Sequence, residues 1–237
     1  MKTLPAPHWA AHWREVDIRV FLTGEASPLP LEDAAALLNP EEQSRAARFH
    51  FAADSERWIR SRALLRLCLA ERLNSRPEDL CFSTDHFGKP FVDPFPAEAL
   101  HFNLSHSGDY AAVAMAGEPV GVDIERWKED LAVVELAEFE FQPSEAAFIR
   151  RSAEPHRAFY QLWTAKEAVM KCCGAGLLLP PGCISVGFTA GSPVAAERME
   201  YEMPDFPDEM KHFHLVSHEE RGQWTLAVAV SGEPRPV

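Results

Sequence analysis

One pattern occurs twice in this 237-residue chain and limits its architecture more than any other feature. His101-Phe102-Asn103-Leu104, a short break, then Tyr110-Ala111-Ala112-Val113-Ala114-Met115-Ala116-Gly117 form the first copy. His212-Phe213-His214-Leu215, a break, then Trp224-Thr225-Leu226-Ala227-Val228-Ala229-Val230-Ser231-Gly232 echo it. Each copy reads as a β-hairpin that closes a helix-rich stretch. Helices are expected over 31–38, 41–49 and 55–73 before the first copy, and over 131–139, 143–151 and 155–173 before the second. Further strands are expected at 16–22, 120–124 and 184–188, and the Pro-, Asp- and Gly-rich stretch 84–96 is expected as a surface loop. The architecture implied is α+β, built from two similar α/β halves, residues 1–117 and 118–237.

Composition narrows the function. Hydrophobic content of 46% and 25% charged residues are ordinary for a globular protein, and no run of eighteen apolar residues exists to span a membrane. The first residues lack the apolar core of a signal peptide, and five cysteines, two of them adjacent, do not suggest a disulfide framework, so a reduced, cytoplasmic protein is expected. A net charge of −13 argues against nucleic acid as a partner. Within that acidic chain, residues 45–76 hold eight arginines against three acids, a local surface suited to a phosphate-rich ligand.

The chemistry concentrates in two strings. In Gly121-Val122-Asp123-Ile124-Glu125, strand periodicity puts both carboxylates on one face and Ile124 on the other. In Trp163-Thr164-Ala165-Lys166-Glu167-Ala168-Val169-Met170-Lys171, helical periodicity gathers Trp163, Glu167, Met170 and Lys171 on one side. Brought together, the strings place three carboxylates beside a lysine. That set of oxygen ligands suits Mg²⁺, with Mn²⁺ an alternative, and points to metal-assisted chemistry on a phosphate ester. Trp163 is expected to pack into the core, and Lys166 points about 100° away from Glu167, toward the periphery. Lys171 could equally form a plain i,i+4 ion pair with Glu167.

The G-x-D-x-E and W-x-x-K-E-A-x-x-K strings, in this order and at this separation, resemble the signature of the Sfp-type 4′-phosphopantetheinyl transferases. Phe87-Gly88-Lys89-Pro90-Phe91, Phe102-Asn103-Leu104-Ser105-His106-Ser107-Gly108 and Gly174-Ala175-Gly176-Leu177 extend the likeness across residues 40–180. The resemblance implies transfer of phosphopantetheine from coenzyme A to a serine of an acyl or peptidyl carrier protein. It implies a pseudo-twofold fold with the active site between the halves. Asp123, Glu125 and Glu167 would ligate the metal, and Glu167 or a metal-bound water would be the base. Lys171 would stabilise or protonate the departing 3′,5′-ADP. Lys89 and Pro90 would meet the nucleotide end of coenzyme A, Ser105 and His106 its phosphates, and Arg45, Arg57 and Arg62 its 3′-phosphate. One position departs from the pattern: Glu42 stands where a further basic residue is often found. Carrier docking would fall on the second half, with Phe139, Phe141 and Phe148 as candidates.

Other readings use the same residues. Nucleases with two acids and a lysine around Mg²⁺ carry the lysine after the second acid, on a strand, whereas Lys166 precedes Glu167 on a helix. Ser105-His106-Ser107-Gly108 lacks the strand–elbow–helix setting of a serine hydrolase. A non-catalytic coenzyme A-binding or carrier-docking module would have no reason to keep all three carboxylates and Lys171. The short trimeric holo-acyl-carrier-protein synthases place their sites between subunits, whereas the repeat here supplies both halves in one chain, so a monomer is expected.

Overall fold

Alternating apolar residues build strands throughout, and where two faces are both apolar the strand ends up between layers. A computed structural model describes residues 3–189, 192–198 and 210–232. A four-stranded antiparallel sheet contains β1 (Trp9–Trp13), β2 (Val16–Leu22), β5 (His101–Ser107) and β6 (Tyr110–Ala116), in the order β1-β2-β6-β5. Between β2 and β5 lie α1 (Leu31–Ala35), α2 (Pro40–Ala46), α3 (Ala52–Leu73) and a small hairpin of β3 (Phe82–Thr84) and β4 (Pro90–Val92). A five-stranded sheet follows, ordered β7-β11-β10-β9-β8, from β7 (Val120–Arg126), β8 (Ile184–Thr189), β9 (Ser192–Arg198), β10 (His212–Glu220) and β11 (Trp224–Gly232). Between β7 and β8 run α4 (Val133–Glu140), α5 (Pro143–Arg151) and α6 (Pro155–Cys173).

Both sequence copies are hairpins: β5 pairs with β6, and β10 with β11, in antiparallel register. Four strands were not expected: β1, the short β3 and β4, and β9. The Trp9–Trp13 segment pairs with β2, with Trp9 opposite Val20. Ser192–Arg198 pairs with both β8 and β10. The expected loop at 84–96 contains β4, and the expected helix at 41–49 stops at Ala46, its start held by a capping box between Asn39 and Glu42.

Apolar residues sort these elements into layers. Phe21, Phe102, Val113 and Met115 face α3 and join Leu64, Leu65, Cys68 and Leu69 in one core. On the opposite face of that sheet, Val16, Ile18, Val20, Ala112 and Ala114 meet Val120, Val122, Ile124, Trp224, Leu226 and Val228 of the second sheet. The second sheet's far face packs on α6 through Ala227, Ala229, Phe213 and Leu215 against Ala165, Val169 and Cys172. The order is therefore helix, sheet, sheet, helix, with one apolar core shared by both sheets. Among the described residues, no helix is long and apolar enough to cross a membrane.

Candidate active site

The site begins with a close approach that only glycine permits. A Cβ on Gly121 would lie 2.0 Å from the Ala168 carbonyl oxygen and 2.3 Å from the Cys172 nitrogen. With no side chain there, α6 settles directly on β7. Two residues along the strand, Asp123 then faces the last turn of the helix, where Lys171 stands. Lys171 Nζ donates to Asp123 Oδ1 at 2.6 Å and to Ser105 Oγ at 3.0 Å. Ser105 donates to Asp123 Oδ1 at 2.9 Å, and Ser107 donates to Glu125 Oε2 at 2.6 Å. The strand–helix juxtaposition expected from the two strings is thus present, but Lys171 pairs with Asp123 across the elements rather than with Glu167 along the helix.

Electrostatics bind the three acids into one unit. Burial, and then repulsion from Asp123, pushes the Glu125 carboxyl up to about 7. The same two causes raise Glu167 above the usual carboxylate range. Asp123 is 3% exposed, and its Oδ2 is buried without a hydrogen-bond partner. An orphaned Asp123 oxygen beside two acids that each resist ionising near it is a donor set a divalent cation relieves, so these residues fit one. The carboxylates are not closed into a cage: among the described residues, no three His, Cys, Asp or Glu side chains form a ready metal cluster. In this arrangement the Lys171 ammonium occupies the Asp123 Oδ1 side.

Beside this unit opens a cavity of about 860 Å³ lined by the turn of α2, the face of α3, the β3–β4 hairpin and β5. Arg45, Arg48, Arg62 and His106 bring nitrogen to its wall, and Trp58, Phe49 and Phe82 bring rings. Arg45 lies over the Trp58 ring at 5.6 Å. Arg62 lies over Phe82 at 4.5 Å and donates from Nε to Glu42 Oε1 at 2.7 Å. Glu42 Oε2 also accepts from fully buried Arg66 at 2.8 Å. Among the described residues, no carboxylate pairs with Arg45 or Arg48. His106 opens onto the cavity, and its surroundings and the Lys171 charge hold its imidazolium below the ordinary range. A basic, aromatic-walled cavity against a carboxylate cluster is a place for a nucleotide phosphate ester.

Comparison with known proteins agrees. The family model described as "4'-phosphopantetheinyl transferase superfamily" matches residues 119–229, and that described as "4'-phosphopantetheinyl transferase, N-terminal" matches residues 25–119. The 4'-phosphopantetheinyl transferase ffp of Bacillus subtilis is 32% identical over 184 residues, covering 76% of this chain and 80% of that protein. The chain belongs to the Sfp-type 4′-phosphopantetheinyl transferases. The 4'-phosphopantetheinyl transferase Sfp of Bacillus subtilis strain 168 is 29% identical over 208 residues, 78% of this chain and 90% of its own. HetI of Nostoc, also a 4'-phosphopantetheinyl transferase, is 34% identical over 151 residues, 62% of this chain and 64% of its own.

Within this transferase, several side chains lie elsewhere than the sequence suggested. Lys89 turns from the large cavity, although its neighbours Gly88 and Pro90 line it. Its Nζ donates to the Val120 carbonyl at 3.0 Å and the Cys172 carbonyl at 2.9 Å, tying the β3–β4 hairpin to the start of β7 and the end of α6. Arg57 is not on the cavity wall and pairs with Asp54 at 2.6 Å and Asp109 at 3.3 Å. Arg48, which sequence reasoning passed over, takes its place, three residues beyond Arg45. Ser105 is occupied by Asp123, Lys171 and the Ile124 N–H, so its hydroxyl organises the acids. Lys166 is no peripheral residue: it is buried against Glu145 at 2.8 Å and donates to the carbonyls of Pro181 and Ile184. That removes it from any nuclease-like cluster. Trp163 packs on Phe141 and Phe159 as expected. Phe141, a docking candidate from sequence, is core: it is 6% exposed and stacks on Phe159 at 5.5 Å.

Proposed function

We propose that this transferase moves 4′-phosphopantetheine from coenzyme A to a serine hydroxyl of an apo acyl or peptidyl carrier, releasing 3′,5′-ADP. The observation that carries the reading is the buried, half-satisfied Asp123 of the Asp123–Lys171–Ser105 unit, flanked by Glu125 and Glu167, beside the arginine-lined cavity. Arg45 and Arg48, free of carboxylates, are assigned to the phosphates of the nucleotide, with His106 at the pyrophosphate. Arg62 contributes with its charge shared by Glu42. Asp123, Glu125 and Glu167 would hold Mg²⁺ or Mn²⁺, which supplies charge neutralisation at the phosphate oxygens when bound.

The chain's own groups cover the remaining needs. The attacking serine must lose a proton, and Glu167, or a water held beside it, is assigned to take that proton. Lys171 reaches the same point from one helical turn away and is assigned to the negative charge on the departing bisphosphate. Exposed Phe139 and Phe148 on α4 and α5 are assigned to carrier docking, an apolar contact that spares two acidic partners from facing each other. The halves are proposed to be related by a pseudo-twofold axis, dividing at 117/118, with one chain sufficient for activity.

The test is intact-mass spectrometry of an apo carrier protein incubated with this protein, coenzyme A and Mg²⁺. A gain of one phosphopantetheinyl group, lost with chelator and lost in Asp123→Ala, is the expected outcome. Full transfer by a correctly folded Asp123→Ala variant would overturn the site assignment, and no transfer to carriers of either class would overturn the reaction.

A further inference from the structure

β7 is the edge strand of its sheet, and its pairing with β11 leaves the N–H groups of Val122, Ile124 and Arg126 pointing off that edge. Three side chains at alternate positions of β5 accept them. Val122 donates to Asn103 Oδ1 at 2.9 Å, Ile124 to Ser105 Oγ at 3.3 Å, and Arg126 to Ser107 Oγ at 3.1 Å. A hydroxyl that accepts still has its own proton to give. Ser105 gives its proton to Asp123, and Ser107 to Glu125 Oε2 at 2.6 Å. Asn103 is the rung where β7 carries no acid. Leu104 and His106, at the intervening positions, line the arginine-rich cavity. One strand therefore sets where the cavity and the carboxylates lie relative to each other.

We propose that Ser107 is a positioning residue for phosphoryl transfer: fixed by the Arg126 N–H, its hydroxyl aims the Glu125 carboxylate at the cation site. A glutamate has three side-chain torsions, and nothing else among the described residues hydrogen-bonds the Glu125 carboxylate, so the serine is what selects one orientation. Asn103 registers the two strands without touching an acid. The inference rests on the metal-ligand assignment made under Proposed function.

The test uses the full chain with saturating coenzyme A. Mn²⁺ binding is followed by electron paramagnetic resonance, and the Mg²⁺ dependence of transfer is followed by carrier mass. Ser107→Ala is expected to weaken Mn²⁺ binding about tenfold or more, the size typical when a partner of a metal ligand is removed. The Mg²⁺ concentration for half-maximal rate should rise by the same factor, with KM for coenzyme A unchanged. Ser107→Thr, which keeps the hydroxyl, should restore binding. Asn103→Ala should lower the melting temperature and leave Mn²⁺ affinity as in the wild type. Wild-type Mn²⁺ affinity in Ser107→Ala, or a threonine variant as weak as the alanine one, overturns the role of Ser107 alone. A wild-type protein that binds no Mn²⁺ with coenzyme A overturns the metal assignment itself. Should the alanine variant not fold, Ser107→Cys, of similar size and a weak donor, decides by the same comparison.

Discussion

Glu42 shows how much one buried carboxylate can reorganise a binding wall. It caps α2, and its two oxygens hold Arg62 and Arg66, so two of the eight arginines in this region arrive already paired. Of the arginines on the cavity wall, that leaves Arg45 and Arg48 as the guanidiniums without a carboxylate partner among the described residues. Arg48→Ala is expected to raise the KM for coenzyme A by about tenfold or more, the worth of a charged hydrogen bond, whereas Arg57→Ala should leave it nearly unchanged. Steady-state kinetics with coenzyme A varied separates the two, and a larger effect at Arg57 would reverse the assignment. Glu125 makes a second prediction. Its raised pKa means the folded, metal-free protein binds that proton more tightly than the unfolded chain does. The stability this contributes is complete below the ordinary glutamate range and is lost as pH climbs to about 7. In chelator, denaturant midpoints should fall from pH 5 to pH 8 more steeply in the wild type than in Glu125→Gln. Parallel slopes would show that Glu125 is ionised throughout.

At the scale of elements, α6 is held from both sides. Gly121 admits it to β7, and on the outer side Lys166 anchors the loop before β8 through Glu145 and two carbonyls, with its ammonium 5.1 Å from the Phe141 ring centre. Removing one partner of a buried ion pair leaves the other uncompensated. Lys166→Ala should therefore cost about 3–5 kcal/mol of stability while the folded fraction keeps its turnover. A large loss in kcat with unchanged melting temperature would place Lys166 in the chemistry instead. The helix itself was legible in the sequence, as were β7 and both hairpins, because each is a local period; the meeting of β7 with α6 was expected from the two strings, although Lys171 pairs with Asp123 and not Glu167. Side chains whose partners are remote in sequence were not legible. Lys89 binds a carbonyl 83 residues away, and Arg57 an acid 52 residues away. Neither distance leaves a trace in local pattern. β1 escaped notice because its ends are both tryptophan and its middle, Ala-Ala-His, marks no clear alternation.

For the whole molecule, the central core decides behaviour. Every strand of the four-stranded sheet precedes Gly117 and every strand of the five-stranded sheet follows it, yet the apolar faces of both are buried against each other. The first strand reinforces this. Trp9 stacks on His218 with ring centres 4.4 Å apart, and His8 pairs with Glu220. Two sheets that share a core cannot melt independently, so calorimetry should record one cooperative transition, with calorimetric and van't Hoff enthalpies equal. Two resolved transitions would show that the sheets are separable domains. The shared core also has a consequence for synthesis on the ribosome. When the first sheet is complete, at Ala116, none of the strands that cover Val16, Ile18, Val20, Ala112 and Ala114 has yet been translated. β7 follows at once, but β11, which supplies Trp224, Leu226 and Val228, comes about a hundred residues later, roughly five to twenty seconds at ordinary elongation rates. During that interval the nascent chain carries an apolar sheet face without most of its cover, which makes the half-translated molecule, rather than the finished one, the species most in need of a chaperone.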